Sequence, residues 1–384
     1  MRRVQWDLTN SFNIDVQGKI KLAYIQSIGT ALPSFATQQA QIAEYMSNRL
    51  PLNEEEVRKL RVLYRASGIK QRYSVLQDFR PDFEGDEFFG GTSFPSSKDR
   101  MCLFQDEAIQ LARVAVTKAV ENSSVEKENI THLITVSCTG MYAPGLDIQL
   151  IEELSLHTHI ERTAINFMGC YAAFNALKAA KNIISANSKA RVLVVCVELC
   201  SIHLQEKTDD ENLLANAIFG DGAAAVILTG DRGKRSLELS HFYSDLALAG
   251  KQEMGWYIGD QGFEMRLSSK VPHVIKEGIG DLTSKLLKKV SLTVDEIDFF
   301  AIHPGGKRIL EVVEEKLGIS KEQDAPAREI LQSYGNMSSP TILFVIKHIF
   351  DQLTTADHDK HLLSFAFGPG LTLESALLKT HVHA

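Results

Sequence analysis

Apolar runs alternate with amphipathic stretches along most of this chain, and the alternation occurs twice in the same order. In the first round, an amphipathic stretch over 105–121 precedes the apolar run HLITVSC (132–138). INFMGCY then opens a long Ala-rich stretch, followed by VLVVCVEL (192–199) and AAAVILT (223–229). In the second round, VPHVIKEGIGDLTSKLLKKV precedes IDFFAIHP, YGNMSSPTILFVIKHIF, HLLSFAF and LTLESALL. Short apolar runs predict strands covered on both faces, and stretches of 3.6-residue period predict helices packed against them. The second-round helix places Val274, Ile275, Ile279, Leu282, Leu286 and Val290 on one face. Residues 341–350 are apolar nearly all round apart from Lys347 and His348, which predicts a helix enclosed on both sides.

Ahead of the first round, IKLAYIQSIGTALP predicts a strand closed by a Pro turn, and 38–66 predicts charged helices. Residues 76–97 mix Pro, Gly, Asp and Phe without periodicity and predict a long loop of the kind that covers sites. Residues 1–20 are polar and irregular and read as an arm. Two wound α/β units predict a five-layer αβαβα stack, with buried helices between two sheets. Composition does not shift near 235–250, so the halves, 1–235 and 236–384, are expected to form one fused body.

Composition changes this picture little. With 384 residues, 44% hydrophobic and 23% charged, the chain has the makeup of an ordinary globular protein with a large core. A net charge of −7 disfavours a general nucleic-acid surface. No apolar run approaches the roughly 20 residues a membrane span needs, and no secretory signal is recognisable, so the expected location is the cytoplasm. Five cysteines argue against a disulfide framework; Cys138, Cys196 and Cys200 lie in or beside strand-like runs and read as small buried thiols. His358, His361, His381 and His383 read as surface and tail residues rather than metal ligands, because no carboxylate–histidine helix pattern accompanies them. No metal is expected.

The chemistry-bearing candidates occupy matching points of the two rounds. Cys170 follows a strand and opens a helix, where unpaired N–H groups favour thiolate over thiol. His303 ends a strand before Pro304-Gly305-Gly306, and Asn336 precedes Pro340 and the enclosed helix. Singly, each has an ordinary explanation: a buried Cys, a satisfied His, and an Asn capping a helix. Ser338 or Ser339 could serve as that cap equally well, leaving Asn336 free. Asn neither takes nor gives a proton at neutral pH, but its amide donates hydrogen bonds, as does a neutral imidazole. Two such donors on a thioester carbonyl would stabilise the enolate left when an attached carboxylate departs as CO2. That chemistry needs no strong base.

GCYAA around Cys170, IFGDGAAAV (218–226), AIHPGG (301–306), YGNMSS (334–339) and FGPGLTLES (367–375) occur in one order. In these the sequence resembles the chalcone synthase superfamily, the type III polyketide synthases, over about residues 20–378. The resemblance implies a thiolase-type fold, a homodimer and a catalytic triad of Cys170, His303 and Asn336. It further implies loading of an acyl-CoA starter on Cys170, extension with malonyl-CoA and cyclisation in the same cavity. Coenzyme A thioesters are then substrates, no cofactor is implied, and delivery of the starter by an acyl carrier protein is left open.

The same resemblance puts the gatekeeper phenylalanine at Phe219 and a second gate at Met265, where plant enzymes carry Phe. His203, Trp256, Ser338 and the Gly368-Pro369-Gly370 loop fall at cavity positions. Ala143 replaces a Met that reaches the partner's cavity. These departures resemble bacterial members that use fatty acyl starters to make alkylpyrones or alkylresorcinols. Lys59, Arg61 and Arg65 fall on the helix that holds basic coenzyme A contacts, although Val62 and Ala66 replace basic residues there. Three rivals stand beside this expectation: a ketoacyl synthase III type enzyme making one condensation, a papain-like hydrolase, and a non-catalytic partner on the same fold.

Overall fold

The computed structural model describes residues 21–85, 87–91 and 93–383; the arm expected over 1–20 lies outside them. The first half runs β1 (Tyr24–Ala31), β2 (Phe35–Gln38), α1 (Gln39–Arg49), α2 (Glu54–Ala66), β3 (Gln71–Ser74) and α3 (Ser97–Glu121). It continues with β4 (His132–Ser137), α4 (Leu146–Leu154), β5 (Glu161–Asn166), α5 (Ala172–Ala186), β6 (Arg191–Leu199), α6 (Asp210–Ile218) and β7 (Asp221–Thr229). The second half comprises β8 (Arg235–Leu246), β9 (Met254–Gly259), β10 (Gly262–Leu267), α7 (Val271–Lys288), β11 (Phe299–Ile302) and α8 (Lys307–Leu317). Next come α9 (Ala325–Tyr334), α10 (Thr341–Gln352), β12 (His361–Gly368) and β13 (Thr372–Val382).

Strand periodicity builds the layers. Along β6, Leu193, Val195 and Val197 pack with α3 in one core, whereas Val192, Val194 and Cys196 pack with α5 in the other. Such alternation is the period-2 geometry of a strand, and each large apolar side chain fully buried this way contributes about 1.5–3 kcal/mol. α5 touches β4 and β6 on one side and β8 and β13 on the other, while α10 touches β1, β7 and β11. These two helices form the central layer. α3 covers the outer face of the first-half strands, and α7 that of β8 and β13. Residues 341–346 are buried without a break, as the apolar pattern predicted.

The two sheets are not separate. The strand order β11-β12-β13-β8-β1-β7-β6-β4-β5 makes one nine-stranded sheet, with a narrow seam where Tyr24 faces Glu238 and Ile25 faces Leu237. The backbone of β1 also presses on α3: a Cβ on Gly29 would sit 2.1 Å from the Ala115 carbonyl oxygen, so only glycine fits. In the aperiodic 76–97 stretch, Phe79, Phe89 and Phe94 are buried, and Arg100 stacks over the last two. The loop is therefore pinned to the core by its aromatic residues. One expectation fails here: His381 is a buried residue of β13 rather than a surface one, because the strand carries it under Tyr24. Among the described residues, no helix is long and apolar enough to cross a membrane, and the five cysteines are free.

Candidate active site

After β5 the chain turns sharply through Phe167 (φ 61°) and Gly169 (φ 81°) before Cys170 and Tyr171 open α5. Gly169 is required twice over, since its φ is left-handed and a Cβ would lie 2.4 Å from Pro369 Cδ. This contact sets the Gly368-Pro369-Gly370 turn against the Cys170 turn. Pro369 lines the cavity, Gly368 packs on Tyr171, and Gly370 supplies the turn's positive φ.

His303 leaves the end of β11 with its N–H bonded to the Phe365 carbonyl at 2.9 Å, so its position follows the β11–β12 pairing. Asn336 is clamped by main-chain bonds, N–H to the Ile218 carbonyl at 2.8 Å and carbonyl from Gly220 N–H at 3.0 Å. Its Oδ1 accepts from Ser338 N–H at 2.8 Å. Neither serine caps α10, because Ser339 Oγ donates to Glu198 at 2.6 Å and Ser338 faces the cysteines.

Cys170, His303, Asn336, Ser338 and Phe219 all line one mostly apolar cavity. The Asn336 amide donates to the Gly305 carbonyl at 3.4 Å, and both Asn336 and Ser338 lie near enough to the Cys170 sulfur to favour its ionised form. Burial nevertheless pushes the thiol up to about 11, with Ser338 lowering it, Glu198 raising it and Asn336 lowering it. Burial also pushes His303 down to about 3. Burial thus favours thiol and neutral imidazole, in opposition to the helix terminus, which favours thiolate. Both ring nitrogens of His303 are buried without a protein partner among the described residues, an arrangement suited to meeting a substrate atom.

His203, Trp256 and Met265 share the cavity wall. Phe263 N–H donates to His203 Nδ1 at 2.9 Å, so Nε2 carries the proton and donates to the Thr139 carbonyl at 2.8 Å. With both nitrogens engaged, and burial holding the ring neutral, His203 is a wall residue stacked on Phe263 at 4.4 Å. Trp256 Nε1 donates to the Cys138 carbonyl at 2.7 Å, and Met265 lies opposite Trp256 in the β9–β10 hairpin. Lys59, Arg61 and Arg65 are exposed on α2 and do not line the cavity; Lys59 pairs with Glu55 at 3.0 Å.

Sequence reasoning passed over the polar network behind the sulfur. Glu198 is fully buried and accepts from Cys138 N–H at 2.9 Å, Thr139 Oγ1 at 2.7 Å and Ser339 Oγ. Cys138 Sγ lies 3.3 Å from both Glu198 Oε1 and Ser338 Oγ and lines the cavity with Cys200, beyond being merely a buried thiol. The signal was present: a glutamate inside the apolar run VLVVCVEL is a charge that must be paired where it is buried. Arg72 was missed too. It lines the cavity and donates to the Phe219 carbonyl and to Gln39 Oε1.

Comparison with known proteins places this geometry. The family model for chalcone and stilbene synthases matches twice, its N-terminal domain over residues 13–232 and its C-terminal domain over 244–382. An alpha-pyrone synthesis polyketide synthase-like protein, Pks18 of Mycobacterium tuberculosis, is 31% identical over 361 residues, 93% of this chain and 91% of its own. The crystal structure of PKS-I from the brown alga Ectocarpus siliculosus matches with a TM-score of 0.88 at 32% identity, covering 93% of this chain and 98% of that one. The C-terminal type III polyketide synthase domain of Steely1, a type I/III hybrid from Dictyostelium, matches at 0.87 and 28%, covering 94% and 100%. The class is thus a condensing acyltransferase on a thiolase-like fold. The chain belongs to the chalcone and stilbene synthase family, and it is a type III polyketide synthase.

Proposed function

We propose that this enzyme takes an acyl starter from coenzyme A onto Cys170, extends it with malonyl-CoA, and closes the chain to an alkylpyrone. The observation that carries the reading is the meeting of Cys170, His303 and Asn336 at one mostly apolar cavity. In loading, the thiol proton passes to His303 as sulfur attacks the starter thioester, and His303 returns it to the departing coenzyme A thiolate. In extension, neutral His303 and the Asn336 amide donate to the malonyl thioester carbonyl. The bond to the carboxylate breaks, CO2 leaves, and its electron pair forms the enolate those donors stabilise. The enolate carbon attacks the Cys170 thioester, and the C–S bond breaks to free the sulfur.

Several observations support the finer parts. Phe219, Met265, His203 and Trp256 wall the cavity, and a relative is named for alpha-pyrone synthesis. α2, with Lys59, Arg61 and Arg65, packs on α6, whose Asn212 and Asn216 line the cavity, so its positive charge is available to coenzyme A phosphates near the entrance. β5 is the edge of the nine-stranded sheet and exposed over 161–164, a surface suited to pairing in a homodimer. A cytoplasmic location completes the reading.

The test incubates pure enzyme with malonyl-CoA and starters from acetyl- to long-chain acyl-CoA and identifies products by mass. Alkylpyrones are expected, and a single β-ketoacyl thioester would overturn iteration. Alkylresorcinols would overturn only the mode of ring closure. Repeating the assay with an acyl carrier protein thioester decides how the starter arrives. Cys170→Ala should abolish acyl loading while keeping the fold.

A further inference from the structure

β13 leaves the Pro369 turn at Thr372 and ends at Val382, so its far end lies about 30 Å along the strand from the cavity. There His358, Asp359 and His381 each bring one ligand atom to within 4.8 Å of the others. His381 is 3% exposed, and its Nε2 lies 2.9 Å from Glu238 Oε2 on β8. A carboxylate only accepts, so Nε2 carries the proton and the Nδ1 lone pair is unprotonated. That Nδ1 is buried and has no hydrogen-bond partner among the described residues. A histidine whose second nitrogen donates to a carboxylate is the arrangement by which proteins orient metal-binding imidazoles.

His383 follows just beyond the end of β13, with its ring centroid 4.6 Å from that of His358. Asp359 has Oδ1 on Lys379 at 2.7 Å, which leaves Oδ2. His358 Nδ1 now accepts from Val382 N–H at 3.2 Å, a hydrogen bond that a metal on that nitrogen would replace. We propose that His358, Asp359 and His381 bind a divalent transition metal of the zinc class, with Glu238 fixing the His381 tautomer. Two imidazoles and one carboxylate, with water in the fourth position, suit a tetrahedral borderline ion, whereas Mg2+ and Ca2+ require mainly oxygen donors. The bound ion would clip the 358–359 turn to β13 and, through Glu238, to β8. It is a structural clip and not part of the condensation chemistry.

The test titrates chelator-treated full-length enzyme with Zn2+ by calorimetry, with Co2+ absorption reporting the ligand set. One equivalent should bind, raise the melting temperature, and give a Co2+ spectrum without thiolate charge transfer. The same equivalent should remain in Cys170→Ala. Glu238→Gln should weaken it about 10- to 100-fold, and the solvent-edge pair His358→Ala/Asp359→Asn at least as much. His358→Ala should keep full condensing activity. Absence of binding, binding unchanged by the His358/Asp359 pair, loss of binding in Cys170→Ala, or equal affinity for Mg2+ would each overturn the proposal.

Discussion

Phe219 and Asn336 are joined main chain to main chain in an isolated parallel bridge. Asn336 N–H donates to the Ile218 carbonyl and Gly220 N–H to the Asn336 carbonyl, while Arg72 holds the Phe219 carbonyl. A cavity-wall ring from the first half and a carboxamide from the second therefore share one rigid backbone element. Neither can shift without the other.

Asn336→Ala removes the amide donor and the acceptor of Ser338 N–H but leaves the main-chain bonds that hold residue 336 in place. Acyl loading of Cys170 should stay within a few-fold of wild type, while malonyl-CoA decarboxylation should fall about 10²- to 10³-fold, the usual effect of deleting one such donor. Single-turnover acylation and CO2 release measured separately check this. Equal loss of both steps would contradict the division of roles.

Met265 is half-buried on β10 opposite Trp256, where a flexible thioether gives way to a bulky substrate more easily than a ring. Met265→Phe should narrow that wall and shift products toward shorter starters, with total acylation of Cys170 changed less than twofold or so. Product profiles across acyl-CoA chain lengths decide it, and an unchanged profile would remove Met265 from the list of size-determining residues.

Much of this arrangement is legible in the sequence because period is a local property. The apolar runs at 132–138, 192–199 and 223–229 became β4, β6 and β7, and the all-round apolar 341–350 became the enclosed α10. Cys170, His303 and Asn336 could be placed because each adjoins such an element. The joining of two sheets at Tyr24 and Glu238 was not legible, since it rests on pairing between residues more than 200 positions apart. The buried charge of Glu198 was legible, but not its partners, which come from the end of β4 and from the turn before α10, 60 and 141 positions away. Burial of His381 likewise depends on which strands flank β13. The opposing effect on the Cys170 charge state was not legible either, because helix direction can be read from order, whereas desolvation is set by everything packed around the sulfur.

Asp324, at the start of α9, is fully buried, and burial followed by Glu314 beside it raises its pKa well above the carboxylate range, against Arg328. A raised carboxyl binds its proton in the folded state and has lost it in the unfolded state near neutral pH. Stability should therefore fall as pH rises from the ordinary carboxylate pKa toward the folded value. Asp324→Asn removes that loss and should stabilise the enzyme by about 1–3 kcal/mol at pH 8, with little effect near pH 4. Denaturant melts at the two pH values check the sign. Destabilisation at pH 8 would mean that Asp324 is ionised and paired with Arg328.

The resting state of the nucleophile can be measured directly. With burial pushing Cys170 up to about 11 and His303 down to about 3, the free enzyme at pH 7 should hold thiol beside neutral imidazole. The thiolate is the species that iodoacetamide alkylates, so inactivation should quicken about tenfold per pH unit from pH 7 to 10. A Cys102→Ser background removes the exposed thiol from the measurement. His303→Ala should leave that slope intact, because a neutral imidazole contributes no charge to the sulfur. A rate flat between pH 6 and 9 that becomes steep only on removing His303 would instead identify a preformed thiolate–imidazolium pair. In that case the proton would already have moved before the starter arrives, and loading would need no transfer from sulfur to His303.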